Sequence, residues 1–181
     1  MVTNDSLWKG IIEDLLEDFL DFFFPEIEFD LSRKPVFLDK ELEEIYPVKG
    51  EAHQRRRIDK LIKLWTKDVE EKWLLIHVEV QGYRDKNLPR RIFQYFYRIF
   101  DSYKQEITSL VIYSDPHKNF RPDTFKYNVV GTELMFKYRT FKILDQSEDQ
   151  LKESKNIFAI VIWTVLVAIK RHRLSGEELI L

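Results

Sequence analysis

Residues 73–81 read WLLIHVEVQ, an apolar run that acquires a carboxylate and an amide towards its end. Side chains two residues apart in a β-strand project from the same face. Glu79 and Gln81 are therefore expected on one face of this strand, together with His77. Polar groups on a buried strand need hydrogen-bond or charge partners to offset the cost of burial. The pattern therefore predicts a polar site at the end of a central strand.

The segment before this strand predicts its partner. Arg57 to Trp65 contains alternating apolar residues, and the polar residues 66–71 separate it from residues 72–81. The simplest arrangement is an antiparallel hairpin. With the turn centred near Val69, residues whose numbers sum to 138 face one another. Asp59 is then predicted to lie opposite Glu79.

The other segments predict an α/β domain with a mixed central sheet flanked by helices. We expect helices over residues 6–24, 90–104 and 156–172, strands over 107–114, 125–130 and 134–143, and an irregular acidic segment over 25–50 with one short strand or helix. The first helix would be capped by Asp5 or Ser6 and stopped by Pro25. On the second, Phe93, Phe96 and Phe100 are expected on the buried side.

The length of 181 residues fits one domain, residues 1–181. The chain has no cysteine, which excludes disulfides and thiolate metal sites. Met1 to Gly10 lacks the pattern of a signal peptide, and the longest apolar run, Ile157 to Ile169, is too short for a membrane span. We therefore expect a cytoplasmic protein with no membrane partner. The last residues, Leu174 to Leu181, leave open whether a C-terminal extension follows.

The net charge of −2 conceals an asymmetry. Residues 1–48 carry 4 Lys and Arg against 13 Asp and Glu, a charge of −9, and the remaining residues carry 25 against 18, a charge of +7. A polyanionic partner is compatible with the second part. The pI of about 6.1 gives no support for strong nonspecific DNA binding.

Two carboxylates from neighbouring strands suit a particular chemistry. A hard divalent cation prefers carboxylate, carbonyl and water oxygens, and it can activate water for phosphodiester hydrolysis. Asp59 and Glu79, with the carbonyl of Val80, make a minimal set of ligands. Gln81, two residues past the glutamate, is placed to orient the attacking water.

These residues resemble a known group. Asp59, Glu79 and Gln81 resemble the acid, acid and third positions of the PD-(D/E)xK nuclease superfamily. The string IHVEVQGY (residues 76–83) followed by RRIFQYFYR (residues 90–98) is similar to its recombination-promoting nuclease (Rpn) branch, often described as transposase-like. The resemblance covers most of residues 10–170.

The resemblance implies a restriction-endonuclease-like core and a Mg²⁺-dependent DNA endonuclease, with Mn²⁺ as a substitute ion, in a setting of recombination or mobile elements. By position, Asp59 and Glu79 become metal ligands and catalytic residues. Gln81 stands where the namesake pattern has lysine, so it can hydrogen-bond water but cannot supply a positive charge. Ile58, not proline, precedes Asp59. Arg91 and Tyr95, on the following helix, become secondary candidates.

Several alternatives stay open. Arg55, Arg56 and Arg57 are candidates for binding DNA phosphates or for ion pairs with the acidic N-terminal segment. Glu13, Glu17 and Glu51 are further candidates to approach the metal, whereas His77 is better explained as a core histidine. A DNA-binding module without cleavage and an oligomeric scaffold are the competing functions, and a homodimer is compatible with each of the three.

Overall fold

The computed structural model describes residues 4–45, 58–67 and 73–175 of the chain. In this part the protein is a mixed α/β structure with one five-stranded mixed sheet, helices on both faces and a separate two-stranded hairpin. The helices are α1 (Asn4–Asp14), α2 (Leu16–Phe23), α3 (Asp39–Ile45), α4 (Leu88–Tyr103), α5 (Glu148–Glu153) and α6 (Ile157–Ser175). The strands are β1 (Val36–Phe37), β2 (Ile58–Trp65), β3 (Trp73–Gln81), β4 (Glu106–Tyr113), β5 (Thr124–Val129), β6 (Thr132–Lys137) and β7 (Arg139–Lys142).

Strand β3 is the centre of the five-stranded sheet, whose order is β1-β2-β3-β4-β7. It pairs antiparallel with β2 and parallel with β4, and β4 pairs parallel with β7. The β2–β3 register places Ile58 opposite Val80 and Asp59 opposite Glu79. The predicted hairpin register is therefore confirmed. The predicted turn near Val69 lies outside the described residues.

The two faces of the sheet are covered by different helices. Even-numbered residues of β2 and β3, such as Ile62 and Ile76, join the larger core with α1, α2 and α6. Odd-numbered residues, such as Leu61 and Leu75, pack against α3 and α4. The alternation follows from the two-residue period of a strand. It assigns His77, Glu79 and Gln81 to the face that α4 covers.

Burial of β4 agrees with the prediction for a strand covered on both faces. Its last five residues, from Ser109 to Tyr113, are all buried. Leu110 and Ile112 join the larger core on one face, whereas Val111 and Tyr113 pack with Leu88 and Ile92 of α4 on the other. None of the helices in the described ranges is both long and apolar enough to span a bilayer.

The segment over residues 25–50, expected to hold one short strand or helix, holds both β1 and α3. Two further predicted elements differ from the structure. The expected helix over residues 6–24 is two helices that break at Leu15, and the break lets residues of both segments, among them Ile12 and Phe19, pack into one core. The expected strand over residues 134–143 is divided at Tyr138 between β6 and β7, which belong to different sheets. Tyr138 is buried and its N–H donates to the carbonyl of Asp123, which turns the chain from the hairpin towards the main sheet.

The hairpin β5–β6 packs on α4 through aromatic rings. Phe93 stacks on Phe125 with ring centroids 5.0 Å apart, and Phe96 lies 4.6 Å from Phe136. The expectation that Phe100 is buried is wrong, since 47% of it is exposed. The hairpin covers the first half of α4 and leaves Phe100, near the C-terminal end, in solvent.

Candidate functional site

The candidate site lies at the end of β3, on the face of the sheet covered by α4. Glu79 and Gln81 are both almost fully buried there. Each is bonded to the same side chain: Nη2 of Arg91 donates to Oε1 of Glu79 at 2.7 Å and to Oε1 of Gln81 at 2.9 Å. The structure therefore brings together three residues that the sequence singled out.

Arg91 is itself buried, with 4% of its side chain exposed. It lies in the first turns of α4, which begins at Leu88 with Pro89 in its first turn, a position where a missing N–H costs no helical hydrogen bond. A planar guanidinium with fixed donor directions can bond several oxygens at once. Arg91 thus holds the polar ends of two neighbouring side chains of β3 in a defined geometry.

Asp85 is the member of this cluster that sequence reasoning missed. It lies in the loop between β3 and α4, and its carboxylate accepts a hydrogen bond from Nη1 of Arg91. The same carboxylate accepts from the N–H of Asn87 at 2.8 Å, which ties the loop to the start of the helix. The only signal in the sequence was an acid four residues after Gln81, and such an acid is common in surface loops.

Gln81 is bonded at both ends of its amide. Oε1 accepts from Arg91, and Nε2 donates to the carbonyl of Tyr83. An amide oxygen can accept two hydrogen bonds and an amide nitrogen can donate two. The bonds to Arg91 and Tyr83 are therefore compatible with a further bond to water, and orientation of water by Gln81 stays a prediction.

Tyr95 and His77 form an aromatic pair beside the carboxylates. Their ring centroids lie 4.8 Å apart, and both side chains are buried. Tyr95 follows Arg91 by one helical turn, so the two point to the same side of α4. His77 fits the interpretation of a core histidine packed against an aromatic ring.

Two tyrosines border the cluster on the side of β4. Both Tyr113 and Tyr138 direct their hydroxyl groups to the carbonyl of Pro122. Burial raises the pKa of Tyr138 to about 12, and the negative charge of Glu79 also acts to raise this pKa. Burial also raises the pKa of Tyr113 well above its usual range. Both phenols are therefore neutral hydrogen-bonding groups at physiological pH.

A second buried ion pair lies on β7, in the same row of the sheet as Gln81. Lys142 of β7 donates to the carboxylate of Asp115 at 2.6 Å, and Gln81, Tyr113 and Lys142 are in register across three strands. Burial lowers the pKa of Lys142, and the bond to Asp115 opposes this shift. The sequence did not predict this pair because it assigned Lys142 to a long strand continuous with β6.

Other candidates from the sequence do not join the cluster. For Asp59 the structure describes the backbone position but not the side chain. Arg55, Arg56, Arg57 and Glu51 lie outside the described residues. Glu13 bonds to Lys60, on the face of β2 that α1 covers, and Glu17 is exposed on α2. Both glutamates are therefore separated from Glu79 by the sheet. Arg98, which shares the helical spacing of Arg91 and Tyr95, is exposed.

No protein-family model matches the chain, and neither a curated protein nor a solved structure matches it significantly. The resemblance in the motif residues therefore stays a resemblance. A function for this chain has to be inferred from the geometry of the site.

The donor set can be compared with the needs of a divalent cation. Among the described residues no three acidic or histidine side chains lie together in a way that could hold a metal ion. Glu79 and Gln81 nevertheless contribute oxygen donors, which are the ligands that Mg²⁺ prefers. Asp59, at the backbone position opposite Glu79, is a second carboxylate residue. The chemical types of these side chains therefore fit a hard cation.

Proposed function

We propose that the protein is a divalent-metal-dependent DNA endonuclease with a restriction-endonuclease-like core, related to the recombination-promoting nucleases. The observation that carries the proposal is the register pair of Asp59 and Glu79 on adjacent strands, with Gln81 two residues further on and bonded to the same guanidinium as Glu79. We extend the proposal to a cytoplasmic protein that acts on DNA in recombination or mobile-element transfer.

Asp59 and Glu79 would hold Mg²⁺ or Mn²⁺ in this proposal. When bound, the ion would supply activation of water and neutralisation of charge at the scissile phosphate. The formal charges favour a cation, because Glu79 and Asp85 carry −2 against +1 for Arg91 and Asp59 adds another negative charge.

Arg91 has a positioning role in the proposed site. Its bond to Oε1 of Glu79 fixes the orientation of that carboxylate, and its bond to Gln81 fixes the amide that faces the same side. A charge-assisted bond of this kind is stronger than a neutral one and loses little entropy once the guanidinium is packed. Tyr95, packed on His77, holds the neighbouring turn of α4 in place.

The test is Mg²⁺-dependent nicking of supercoiled plasmid by the wild type, Glu79→Gln and Asp59→Asn. Both substitutions keep the shape of the side chain and remove its charge. We expect each to lower nicking by roughly 100-fold or more, because loss of a charged ligand should cost at least as much as loss of a group that only supports a ligand. Asp101→Asn, which removes an exposed acid of α4, is the matched control and should retain activity.

Circular dichroism and urea unfolding of the same preparations establish that the variants are folded. Wild-type activity in folded Glu79→Gln and Asp59→Asn would overturn the assignment of the site. Activity that EDTA does not abolish would overturn the metal requirement. Mn²⁺ in place of Mg²⁺ should restore nicking by the wild type and leave the two variants inactive.

The second candidate is a nucleic-acid-binding module that does not cleave. The burial of Glu79 and its ion pair with Arg91 favour this candidate, because a carboxylate with a buried cationic partner already has a structural role. Salt-sensitive DNA binding by the wild type, without nicking in Mg²⁺ or Mn²⁺, would support it over the nuclease.

A further inference from the structure

A cleft of about 300 Å³ lies between α4 and the hairpin β5–β6. The cleft is lined by Arg90, Phe93, Gln94, Phe125, Tyr127 and Leu134. Four of these six side chains are apolar or aromatic, and Arg90 is the only charged one among them. A pocket of this size with a few polar groups at its border has the usual make-up of a small-ligand site.

The rings in the cleft already form part of a stack. Phe93 and Phe125 lie 5.0 Å apart with an interplanar angle of 15°. Tyr127 follows Phe125 by two residues, so it projects from the same face of β5, and its register partner is Leu134 on β6. The inner face of the hairpin therefore presents an aromatic ring beyond the part that α4 covers.

This inner face is exposed where it borders the cleft. Tyr127 is 45% exposed and Leu134 is 37% exposed, although both project towards the side on which α4 lies. Apolar side chains that line a cleft and stay in solvent are a common feature of binding sites. A flat ring with one open face suits a planar aromatic ligand, because offset stacking adds to the gain from burial.

The cleft adjoins the candidate site through two consecutive residues. Arg91 points into the sheet and bonds Glu79, whereas Arg90 is exposed and lines the cleft. Consecutive residues of a helix project about 100° apart. Arg90 therefore lies next to the candidate site along the chain but on the cleft side of α4, where it has the charge to bind a phosphate.

We propose that this cleft binds an unpaired base of the DNA strand on which the protein acts, stacked on Tyr127 with the adjacent phosphate on Arg90. The inference rests on the proposed function only for the identity of the ligand as nucleic acid. The absence of any carboxylate among the lining residues and the cationic Arg90 favour an anionic strand. Stacking on an aromatic side chain accepts every base, so the cleft contributes affinity for single-stranded or locally unpaired DNA without reading sequence.

The test uses the protein in EDTA and a short single-stranded oligonucleotide in which 2-aminopurine is the only base and the flanking nucleotides are abasic. The fluorescence of 2-aminopurine is quenched when the base stacks. The variants are Tyr127→Phe, which keeps the ring, Tyr127→Leu, which keeps apolar volume without a ring, and Arg90→Gln. Met135→Ala is the matched control, since Met135 is 72% exposed on the opposite face of the same hairpin.

We expect quenching with the wild type, Tyr127→Phe and Met135→Ala, and a loss of affinity of roughly tenfold in Tyr127→Leu, because one stacked base contributes about a factor of this size. Arg90→Gln should lower affinity and reduce its salt dependence by about one phosphate contact. An abasic nucleotide in place of the 2-aminopurine should weaken binding to the wild type and leave binding to Tyr127→Leu unchanged.

Equal affinity of Tyr127→Leu and the wild type, or binding without quenching, would overturn the proposal. Self-association of the wild type that Tyr127→Leu abolishes, with no quenching, would also overturn it and assign the cleft to an interface between copies. Quenching without plasmid nicking would sustain the base-binding cleft and reject the nuclease. Nicking by the wild type without quenching would reject the cleft alone.

Discussion

Arg91 is the residue on which the polar groups of this sheet face converge. It bonds Glu79, Gln81 and Asp85 and is almost fully buried. Removing one partner of a buried ion pair leaves the other charge in a medium that solvates it poorly. The contribution of Arg91 to stability is therefore separable from any contribution to catalysis, and each requires its own measurement.

Arg91→Gln should lower the free energy of unfolding by about 3–5 kcal/mol, the usual cost of breaking a buried pair. Urea unfolding measures this change. Arg90→Gln, an exposed neighbour, should stay within about 0.5 kcal/mol of the wild type. The double variant Glu79→Gln with Arg91→Gln should lose less than the sum of the single variants, and strict additivity would show that the two side chains are not coupled.

The buried phenol of Tyr138 should make the folded protein less stable in alkaline solution. The pKa of Tyr138 is raised from 10.0 to about 12 by burial, so the folded protein keeps a proton that the unfolded chain releases. This stabilisation is complete below pH 10 and is lost as the pH rises towards 12, by about 2–3 kcal/mol.

Urea unfolding between pH 9 and the limit of native structure measures how steeply the free energy of unfolding falls with pH. In Tyr138→Phe no phenol titrates at that position. We expect a shallower loss of stability in Tyr138→Phe than in the wild type. Tyr97→Phe controls for removal of an exposed phenol on α4. A slope for Tyr138→Phe as steep as that of the wild type would contradict the assignment.

At the scale of elements, the hairpin β5–β6 has a turn that suits its second residue, Gly131, but not its first, Val130. Val130 and Gly131 form a two-residue loop, with φ of 41° and 79°. Positive φ at both positions is typical of a type I′ turn, which favours Asn-Gly. A β-branched residue in this region is strained, and Val130 is 99% exposed, so packing does not offset the strain.

Val130→Asn should therefore raise the stability of the protein by about 1 kcal/mol, since asparagine tolerates the left-handed region. Thermal and urea unfolding measure the gain. Val130→Thr, which keeps the β-branch, should show no comparable gain. Equal stability of the asparagine and threonine variants would mean that the left-handed conformation of residue 130 does not limit stability.

The whole molecule is held together by a core that joins the beginning of the described chain to its end. Phe158 of α6 is fully buried and its ring lies 5.2 Å from that of Phe19 and 5.6 Å from that of Phe23, both on α2. Asn156, just before α6, also donates to the carbonyl of Asp18. These contacts couple α2 and α6 on the sheet face opposite the candidate site.

Phe158→Ala should lower the free energy of unfolding by about 3–5 kcal/mol, because it removes a buried ring and leaves a cavity. Phe100→Ala, which removes a half-exposed ring of α4, is the control and should cost much less. Urea unfolding with fluorescence and circular dichroism should give one transition for both probes. A loss below about 1 kcal/mol for Phe158→Ala would contradict the central place of this ring.

The pairing of β2 with β3, its register and the shared face of Glu79 and Gln81 could be predicted from the sequence. These features depend on a two-residue period and on the length of one polar gap, which are properties of neighbouring residues. The position of α4 was predictable in the same way from helical periodicity, and that of α6 from the length of one continuous apolar run. Asp59 was predicted opposite Glu79 on these grounds, and the register confirms it.

Tertiary structure alone decided that the chain divides at Tyr138, that Lys142 pairs with Asp115 and that Arg91 bonds Glu79, Gln81 and Asp85 together. A strand pattern over residues 134–143 is the same whether the strand pairs with β5 or with β4. Which pairing forms depends on burial between segments that are distant in sequence. The charged groups then find partners from the elements that this packing brings within hydrogen-bonding distance.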